Sequence, residues 1–149
     1  MENYYPISVH LILLNNSCIL LQKRKDTGYA DNLYGLPAGK INPNESATQA
    51  MIREAKEELG IHLKVEWLEL GSIVHGRDDQ REGVAFFFKA SKYEGVIENK
   101  EPDKCACLKF FDLNSLPSDF IPYMKTGIEN TLKGVFFSEF GWKNNKILS

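Results

Sequence analysis

The sequence has neither a long apolar run nor an N-terminal leader pattern. The apolar stretches at residues 11–14 and 18–21 are separated by Asn15 and Asn16. Both fall far short of the ~18 apolar residues that a membrane-spanning helix needs. The first residues contain no basic region followed by an apolar stretch, so they show no signal-peptide pattern. We therefore expect a cytosolic protein without a membrane partner.

A large excess of charge of one sign is also absent. The chain has 18 basic and 20 acidic residues and a formal net charge of −2. Such a balance gives no overall electrostatic field that would attract a nucleic acid or an anionic lipid. We expect no nucleic-acid partner, and any polyanionic ligand must be bound by local positive charge.

Cysteine is scarce, and its three positions, Cys18, Cys105 and Cys107, are an odd number. In a cytosolic protein they predict reduced thiols rather than disulfides. A zinc site would need a second Cys or His pair at ligand spacing from Cys105 and Cys107, and the sequence offers none. Buried strand thiols are the better interpretation.

The overall amino-acid composition is typical of a globular protein. Of the 149 residues, 43% are hydrophobic and 26% are charged, which argues against disorder and against a fibrous repeat. This length fits one domain, residues 1–149, which would bury about 68–70% of the surface of its unfolded chain.

Apolar runs bounded by turn residues predict a series of strands. We expect them at residues 7–14, 18–22, 65–74, 84–90 and 108–111. Residues 23–44 are rich in Gly, Asp, Asn and Pro and predict a surface loop. A second helix is expected over residues 121–133, although Gly127 disfavours it. The order of these elements predicts an α/β fold, with one helix on each side of a mixed sheet.

The first helix is the clearest element of the sequence. Ser46 and Gln49 match a capping box, helix-forming residues fill positions 49–59, and Gly60 stands where a left-handed C-terminal cap is expected. At about 100° per residue, Ala47, Met51, Ala55 and Leu59 form an apolar stripe that can dock on a sheet.

Two glutamates lie at or inside this apolar stripe rather than opposite it. With Glu54 at 0° on the helical wheel, Glu58 falls at about 40° and Glu57 at about 300°. A solvated face is the usual interpretation of glutamates on a helix. It accounts for Lys56 and for Glu57 if that side chain points outward, but it does not account for Glu58.

The three glutamates repel one another and need a counter-charge. Carboxylates three and four residues apart on a helix lie about 5–6 Å from each other. Arg53 can reach Glu57, but one guanidinium cannot neutralise the whole cluster. A hard divalent cation can, and an all-oxygen site suits Mg²⁺ or Mn²⁺ better than zinc. Because Mg²⁺ keeps open positions that waters or phosphates fill, the pattern favours phosphoryl chemistry.

These residues also form a recognisable motif. Gly39, five residues, Glu45, seven residues and then the run Arg-Glu-Ala-Lys-Glu-Glu-Leu-Gly-Ile at 53–61 match the Nudix box at every defined position. The chain therefore resembles the Nudix hydrolases. Residues 93–95, Glu101 and the Cys105 region look like the MutT-like branch, which cleaves nucleoside triphosphates.

The resemblance implies an α/β/α sandwich that hydrolyses nucleoside diphosphates linked to another moiety, by attack of water at phosphorus. It implies metal ligands at Glu54, Glu57 and Glu58, with Glu54 as the candidate general base and Arg53 holding the neighbouring carboxylates. The carbonyl of Ala38, where many relatives have glycine, is implied as a further ligand. The implied cofactor is Mg²⁺, for which Mn²⁺ can substitute.

Other candidate residues lie outside the helix. By its position after residues 94–95, Glu101 corresponds to an acidic residue with which relatives complete the metal cluster. Lys40 and either Lys23 or Arg24 are candidates to bind phosphate oxygens, because a polyphosphate needs cationic contacts. Tyr34, like the nearby Tyr29 and Asn32, is a candidate to line a base or sugar pocket. The alternative for each is an ordinary solvated loop residue.

We therefore expect a Mg²⁺-dependent pyrophosphohydrolase that converts nucleoside triphosphates to a monophosphate and pyrophosphate. Hydrolysis of a sugar-linked or dinucleoside diphosphate is the alternative within this class. Relatives with those activities tend to carry a proline where this chain has His75, or a tyrosine where it has Arg77 and Asp78. A non-catalytic nucleotide-binding module is less favoured, because the box carboxylates are all kept. The expected partner is a small-molecule nucleotide, with a monomer or a homodimer as the assembly.

Overall fold

The computed structural model describes residues 5–143 and the backbone of Ile147–Leu148. Two helices and nine strands follow one another in this part of the chain: β1 (Ile7–Asn15), β2 (Cys18–Arg24), β3 (Tyr34–Gly35), β4 (Ala38–Lys40), α1 (Ala47–Leu59), β5 (Glu69–Arg77), β6 (Glu82–Ala90), β7 (Cys105–Asp112), α2 (Pro122–Lys133), β8 (Phe137–Phe140) and β9 (Ile147–Leu148). At 13 and 12 residues, the described helices are too short to span a bilayer.

The strands form a mixed sheet in the order β3-β2-β1-β6-β5-β8-β9, with β4 beside β1 and β7 beside β2. The pairs β1–β6 and β5–β8 are parallel, whereas the other pairs are antiparallel. This arrangement confirms the predicted mixed sheet.

One helix packs against each face of the sheet. On one face, Met51, Ala55 and Leu59 of α1 belong to a buried apolar cluster with strand residues of β1 and β6. On the other face, Met124 and Ile128 of α2 belong to a second cluster. Successive side chains of a strand point to opposite faces, so β6 contributes Phe86 and Phe88 to the first cluster and Phe87 to the second. The predicted α/β/α sandwich is confirmed.

Helix α1 begins and ends as its sequence predicts. The Ser46 hydroxyl accepts a hydrogen bond from Gln49 N at 3.1 Å, and the Gln49 side chain accepts one from Ser46 N at 2.9 Å. These two bonds form the capping box. At the other end, Gly60 has φ +71° and donates its N–H to Lys56 O. Both caps satisfy backbone groups that a helix end would otherwise leave unpaired.

Helix α2 contains Gly127 because a side chain would not fit there. A Cβ added at Gly127 would overlap the ring of Phe87, which is fully buried in β6. The close packing of α2 on the sheet therefore offsets the low helix propensity of Gly127.

Three element predictions were wrong in part. Residues 65–67 form a 3-10 turn, so strand β5 begins at Glu69. The segment 23–44 is not entirely a loop, since it contains the short strands β3 and β4. Strands β8 and β9 were not expected. The short strands depend on pairing with distant parts of the chain, which local composition does not encode.

Candidate functional site

A cleft of about 960 Å³ opens beside α1 and β4 and extends to the hairpin that joins β5 to β6. At one end it is lined by Ala38, Lys40 and the carboxylates of α1. At the other end it is lined by Tyr29, Asp78 and Arg81, and His10 and Tyr123 also contribute.

Gly39 lets the backbone of β4 lie directly against the carboxylate of Glu54. A Cβ added at Gly39 would overlap the Glu54 carboxyl group. Strand β4 is held in this place by its pairing with β1, in which Gly39 faces Val9 and Ala38 faces His10. The glycine of the box therefore has a steric role, since only glycine permits so close an approach.

Arg53 organises one side of the carboxylate cluster. Its Nε and Nη2 donate to the two oxygens of Glu45 at 2.7 and 2.9 Å, and its Nη1 donates to Glu54 Oε1 at 2.7 Å and to Glu57 Oε2 at 3.2 Å. Nη2 also donates to Lys40 O at 3.0 Å. One guanidinium thus joins Glu45, in the loop after β4, and the end of β4 to two glutamates of α1, Glu54 and Glu57. The hydrogen bond from Arg53 is the main reason that the pKa of Glu45 lies below its usual range.

Glu54 and Glu58 form a hydrogen-bonded pair within the carboxylate cluster. The Glu54 side chain is only 12% exposed, whereas that of Glu57 is 55% exposed. Burial raises the pKa of Glu54, against the lowering effect of Arg53. Burial, together with the charge of Glu54, raises the pKa of Glu58 well above its usual value. The two carboxyl groups share a hydrogen bond, and Glu58 also accepts one from Ala38 N at 3.3 Å.

Glu101 reaches the same cleft from the loop before β7. Its side chain is 32% exposed, and its charge contributes to the raised pKa of Glu58. The loop is fastened by Asn99, which accepts a hydrogen bond from Glu101 N at 3.2 Å and donates one to Cys105 O at 2.8 Å. Lys104 Nζ lies 3.6 Å from Glu101 Oε2. The structure therefore brings Glu101 near Glu58, and its role as a metal ligand stays a prediction.

The cleft contains two of the four residues that were predicted to bind substrate. Lys40 and Arg24 line it, whereas Lys23 and Tyr34 are not among its lining residues. The alternation of β2 explains the difference between Lys23 and Arg24, because neighbouring strand residues face opposite sides of a sheet. The Lys23 ammonium lies instead over the ring of Tyr34, 5.5 Å from its centroid. The cleft geometry gives no support to the predicted substrate contacts of Lys23 and Tyr34.

The base of the cleft holds a buried histidine that we did not single out from the sequence. His10 is 1% exposed, its ring stacks on Phe87 with centroids 4.7 Å apart, and its Nε2 is 2.9 Å from the hydroxyl oxygen of Tyr123. Burial lowers the pKa of His10 to about 3, so this imidazole is neutral at physiological pH. A polar residue inside the apolar run of β1 was the signal that marked it.

Asp78 and Arg81 were also not singled out as site residues. They lie in the hairpin between β5 and β6, where Asp78 Oδ1 accepts hydrogen bonds from the backbone N–H groups of Gln80 at 2.8 Å and of Arg81 at 2.7 Å. The run of charged residues at 77–82 marks a turn in the sequence, but it does not reveal that the turn faces the carboxylates across a cleft.

The donor set fits a hard divalent cation better than any other metal. The predicted set consists of carboxylate oxygens and the Ala38 carbonyl, which are the kinds of ligand that Mg²⁺ and Mn²⁺ prefer. Within residues 5–143, no three His, Cys, Asp or Glu side chains already converge as a formed metal site. Oxygens of Glu54 and Glu57 point to Arg53 instead. Burial nevertheless raises the pKa of Glu54 despite its hydrogen bond from Arg53, and it raises the pKa of Glu58 well above the usual value, so Arg53 compensates this pair only in part.

Further residues near the cleft are Cys105, His75 and Trp142. Cys105 is buried in β7, as expected of a strand thiol, and its Sγ lies 3.2 Å from Cys107 O. His75 lies in β5 beside Trp142. Trp142 donates its indole N–H to His75 O at 2.9 Å and so ties this part of the chain to β5.

Comparisons with known proteins agree with this geometry. A family model described as NUDIX domain matches residues 4–131. A Bacillus subtilis (strain 168) protein provisionally named 8-oxo-dGTP diphosphatase is 33% identical over 132 residues, which cover 87% of this chain and 82% of the relative. An ADP-ribose pyrophosphatase from Methanocaldococcus jannaschii is 32% identical over 111 residues, which cover 74% of this chain and 64% of that relative.

A solved structure extends the likeness to the whole architecture. The crystal structure of a MutT NUDIX hydrolase from Burkholderia pseudomallei matches with a TM-score of 0.79 and 28% sequence identity. The match covers 86% of this chain and 98% of the crystallised chain.

Proposed function

The chain belongs to the NUDIX domain family, and we propose that it is a Mg²⁺-dependent pyrophosphohydrolase that converts nucleoside triphosphates to a monophosphate and pyrophosphate. Family membership and the names of its relatives indicate a hydrolase that acts on nucleotides containing a diphosphate. The triphosphate, the metal and the individual residue roles are the parts that we propose. A cytosolic location belongs to the same proposal.

One observation carries the proposal: the partly buried, hydrogen-bonded pair Glu54–Glu58 lines the same cleft as Glu57 and Glu101. Two adjacent carboxylates taken out of water cost free energy unless a cation or a proton compensates them. A stable fold that keeps such a pair at the wall of an open cleft has a functional reason for it. Hydrolysis of a phosphoanhydride provides that reason, because the substrate itself arrives with cations.

Glu54, Glu57, Glu58, Glu101 and the carbonyl of Ala38 are the groups that would hold Mg²⁺ or Mn²⁺. When bound there, the cation would polarise the phosphoryl group and neutralise the charge that develops on its oxygens. Arg53 keeps Glu54 and Glu57 in place through its hydrogen bonds, so its contribution is to position these carboxylates.

Glu54 is our candidate for the base that receives a proton from the attacking water. The water oxygen forms a bond to phosphorus, the bridging P–O bond breaks, and the pyrophosphate leaves with the electron pair of that bond. Burial raises the pKa of Glu54, which makes this carboxylate a better proton acceptor than an exposed glutamate. Its position against Gly39 fixes the direction from which it can act.

Lys40 and Arg24 are the cations that we propose as contacts of the phosphate oxygens. Both line the cleft, and the guanidinium of Arg24 is held by Tyr29 O at 2.9 Å and by Thr27 Oγ1 at 3.0 Å. A guanidinium fixed in this way loses little conformational entropy when it binds a phosphate.

ADP-ribose, or another diphosphate linked to a sugar, is the second candidate substrate. The Methanocaldococcus jannaschii relative named for that activity is 32% identical over 111 residues. This similarity is close to that of the relative named for a triphosphate. The carboxylate cluster serves both reactions equally, because they break the same kind of bond.

A panel of substrates with identified products tests the proposal. We would incubate the protein and Mg²⁺ with the common nucleoside triphosphates, 8-oxo-dGTP, ADP-ribose and a diadenosine polyphosphate, and then separate the products by anion-exchange chromatography. We expect a monophosphate and pyrophosphate from at least one triphosphate, at a higher kcat/KM than for ADP-ribose. Faster cleavage of ADP-ribose would support the second candidate, and binding without any turnover would indicate a non-catalytic module.

A further inference from the structure

The end of the cleft opposite the carboxylates is built around one aromatic ring, that of Tyr29. This side chain is only 9% exposed although it comes from a loop. Its hydroxyl donates to Asp78 Oδ2 at 2.5 Å, and the guanidinium of Arg81 lies over its ring, 3.8 Å from the centroid. Tyr29 thus joins the loop after β2 to the hairpin between β5 and β6.

Both partners of Tyr29 are held in fixed positions by backbone hydrogen bonds. Asp78 N donates to Arg81 O at 2.8 Å, and Asp78 Oδ1 accepts from Arg81 N at 2.7 Å. On the other side, Arg24 Nε donates to Tyr29 O at 2.9 Å, and Asp31 accepts from the N–H groups of residues 27 and 28. The ring and the stacked guanidinium are therefore preorganised before a ligand binds.

The loop holds Tyr29 in this position through an unusual backbone. Asp26, Gly28, Ala30 and Asn32 all have positive φ, at 51°, 84°, 51° and 67°. Ala30 is the notable member of this series, because a left-handed conformation is unfavourable for an alanine. Conformations of this kind persist where the surrounding structure enforces them, as in ligand-binding loops.

The stack on Tyr29 leaves the hydrogen-bonding edge of Arg81 unused. At 3.8 Å from the centroid, Cζ of Arg81 is in van der Waals contact with the ring, a distance typical of a guanidinium that stacks on an aromatic face and keeps its five N–H donors in its own plane. Among the described residues, no Asp or Glu oxygen lies within 4.0 Å of the Arg81 guanidinium nitrogens, and no protein hydrogen bond uses its side chain. The donors are therefore available to a ligand in the cleft.

The distance across the sheet indicates which part of a nucleotide lies here. Strands β1 and β6 separate β4 from β5, so at the usual strand spacing the two ends of the cleft lie about 14 Å apart. A nucleotide whose phosphates reach the carboxylate end places its nucleoside part toward Tyr29 and Arg81.

We propose that Arg81, held over the ring of Tyr29, is a specificity-determining residue that donates two parallel hydrogen bonds to a pair of adjacent acceptors on the nucleotide. This inference rests on the proposed function in so far as it needs a nucleotide in the cleft. The O6 and N7 atoms of guanine are one such pair, whereas adenine presents only one acceptor at this edge. Two oxygens of a phosphate group are the other source of the same chemistry.

Equilibrium binding of monophosphates tests the inference without any turnover. Isothermal titration with GMP and with AMP, in the presence of Mg²⁺, would compare the wild type with Arg81→Lys. This variant keeps the positive charge but loses the pair of parallel N–H donors that a guanidinium presents. Arg77→Lys is the matched control, because Arg77 lines the same cleft but its guanidinium lies over Trp142, 5.1 Å from that ring centroid, and not over Tyr29.

We expect Arg81→Lys to weaken GMP binding roughly 10-fold or more, and Arg77→Lys to change it little. A loss confined to GMP would assign the contact to the base edge, and an equal loss for GMP and AMP would assign it to the phosphate. Unchanged affinities in Arg81→Lys, an equal loss in Arg77→Lys, or no binding of either nucleotide to the wild type would overturn the inference. Failure of the hydrolysis assay alone would contradict the proposed function and leave this result standing.

Discussion

Gly39 and Glu54 are in direct contact, so that no side chain larger than that of glycine fits between β4 and the carboxyl group of Glu54. The contact joins the strand that contains Ala38, whose carbonyl is a proposed metal ligand, to the helix that carries the glutamates. It is possible only because β4 pairs with β1 and α1 packs on the same face of the sheet. The position of the candidate base thus depends on the fold as well as on the helix.

Gly39→Ala should therefore displace Glu54 without disturbing the rest of the sheet. A shift of about 1 Å in a catalytic group can reduce turnover on the order of 10², and we expect a loss of this size in kcat. Gly76→Ala is the control, since a Cβ added there has no neighbour closer than 3.9 Å. Steady-state kinetics and the melting temperature of both variants make the comparison, and equal kcat values for the two would contradict this account.

Glu58→Gln removes one charge from the coupled pair while it keeps the shape of the side chain. Positioning and electrostatics carry most of the catalysis in phosphoryl transfer, so turnover should fall on the order of 10² or more. The melting temperature should not fall, and the relief of repulsion with Glu54 should raise it. A variant with nearly the wild-type rate and a much lower melting temperature would mean that Glu58 has a structural role.

The pH dependence of stability gives a second measurement on the same variant. Because the pKa of Glu58 is raised in the folded protein, the folded state binds a proton that the unfolded chain has already lost over the range between the two pKa values. Stability is therefore highest below the unfolded pKa and decreases as pH rises through the folded one. Without divalent cations, the melting temperature of the wild type should rise on acidification more than that of Glu58→Gln. Parallel pH profiles would show that Glu58 is not the titrating group.

Glu101 and Glu98 offer a matched pair in one loop. The charge of Glu101 acts on Glu58 across the cleft, whereas Glu98 is 62% exposed and lies 3.7 Å from the ammonium of Lys100. Glu101→Gln should raise the Mg²⁺ concentration needed for half-maximal activity and lower kcat. Glu98→Gln should change neither. Similar behaviour of the two variants would leave Glu101 as a solvated loop charge, and an increase in KM alone would indicate substrate contact instead.

Tyr123→Phe should lower stability rather than turnover. It removes the partner of the buried His10 Nε2, and the other ring nitrogen of His10 already lacks a hydrogen bond in the described structure. An unsatisfied buried polar group costs about 1–3 kcal/mol, so chemical denaturation should show a loss in this range. Tyr5→Phe is the control, because the contact of Tyr5 with His75 is exposed and exposed hydrogen bonds contribute little. Equal losses in the two variants would contradict the structural role of Tyr123.

The helix and its glutamates could be predicted because the signals are local. A capping box, an apolar stripe and a C-terminal glycine all lie within residues 46–60. The position of Glu58 inside the apolar stripe marks it as a candidate functional residue. The different exposure of Glu54 and Glu57 follows from the same helical periodicity.

At the far end of the cleft the sequence singled out Tyr29, but its partners Asp78 and Arg81, like the His10–Tyr123 pair at the base, could not be predicted, since they depend on contacts between distant residues. Tyr29 and Asp78 are 49 positions apart, and His10 and Tyr123 are 113 apart. Lys23 and Arg24 carry the same charge in adjacent positions, and only the pairing of β2 decides which of them lines the cleft. Non-local strand pairing is the information that composition and periodicity lack.

Phosphorus NMR of a triphosphate incubated with the protein tests the central claim most directly. With Mg²⁺, the account predicts that the signals of a nucleoside triphosphate are replaced by those of a monophosphate and pyrophosphate. With excess EDTA the conversion should stop, while the circular dichroism of the folded protein persists, because the carboxylate cluster needs the cation for activity but the core does not. Full turnover in metal-free protein, or release of orthophosphate and a nucleoside diphosphate as the primary products, would contradict the account.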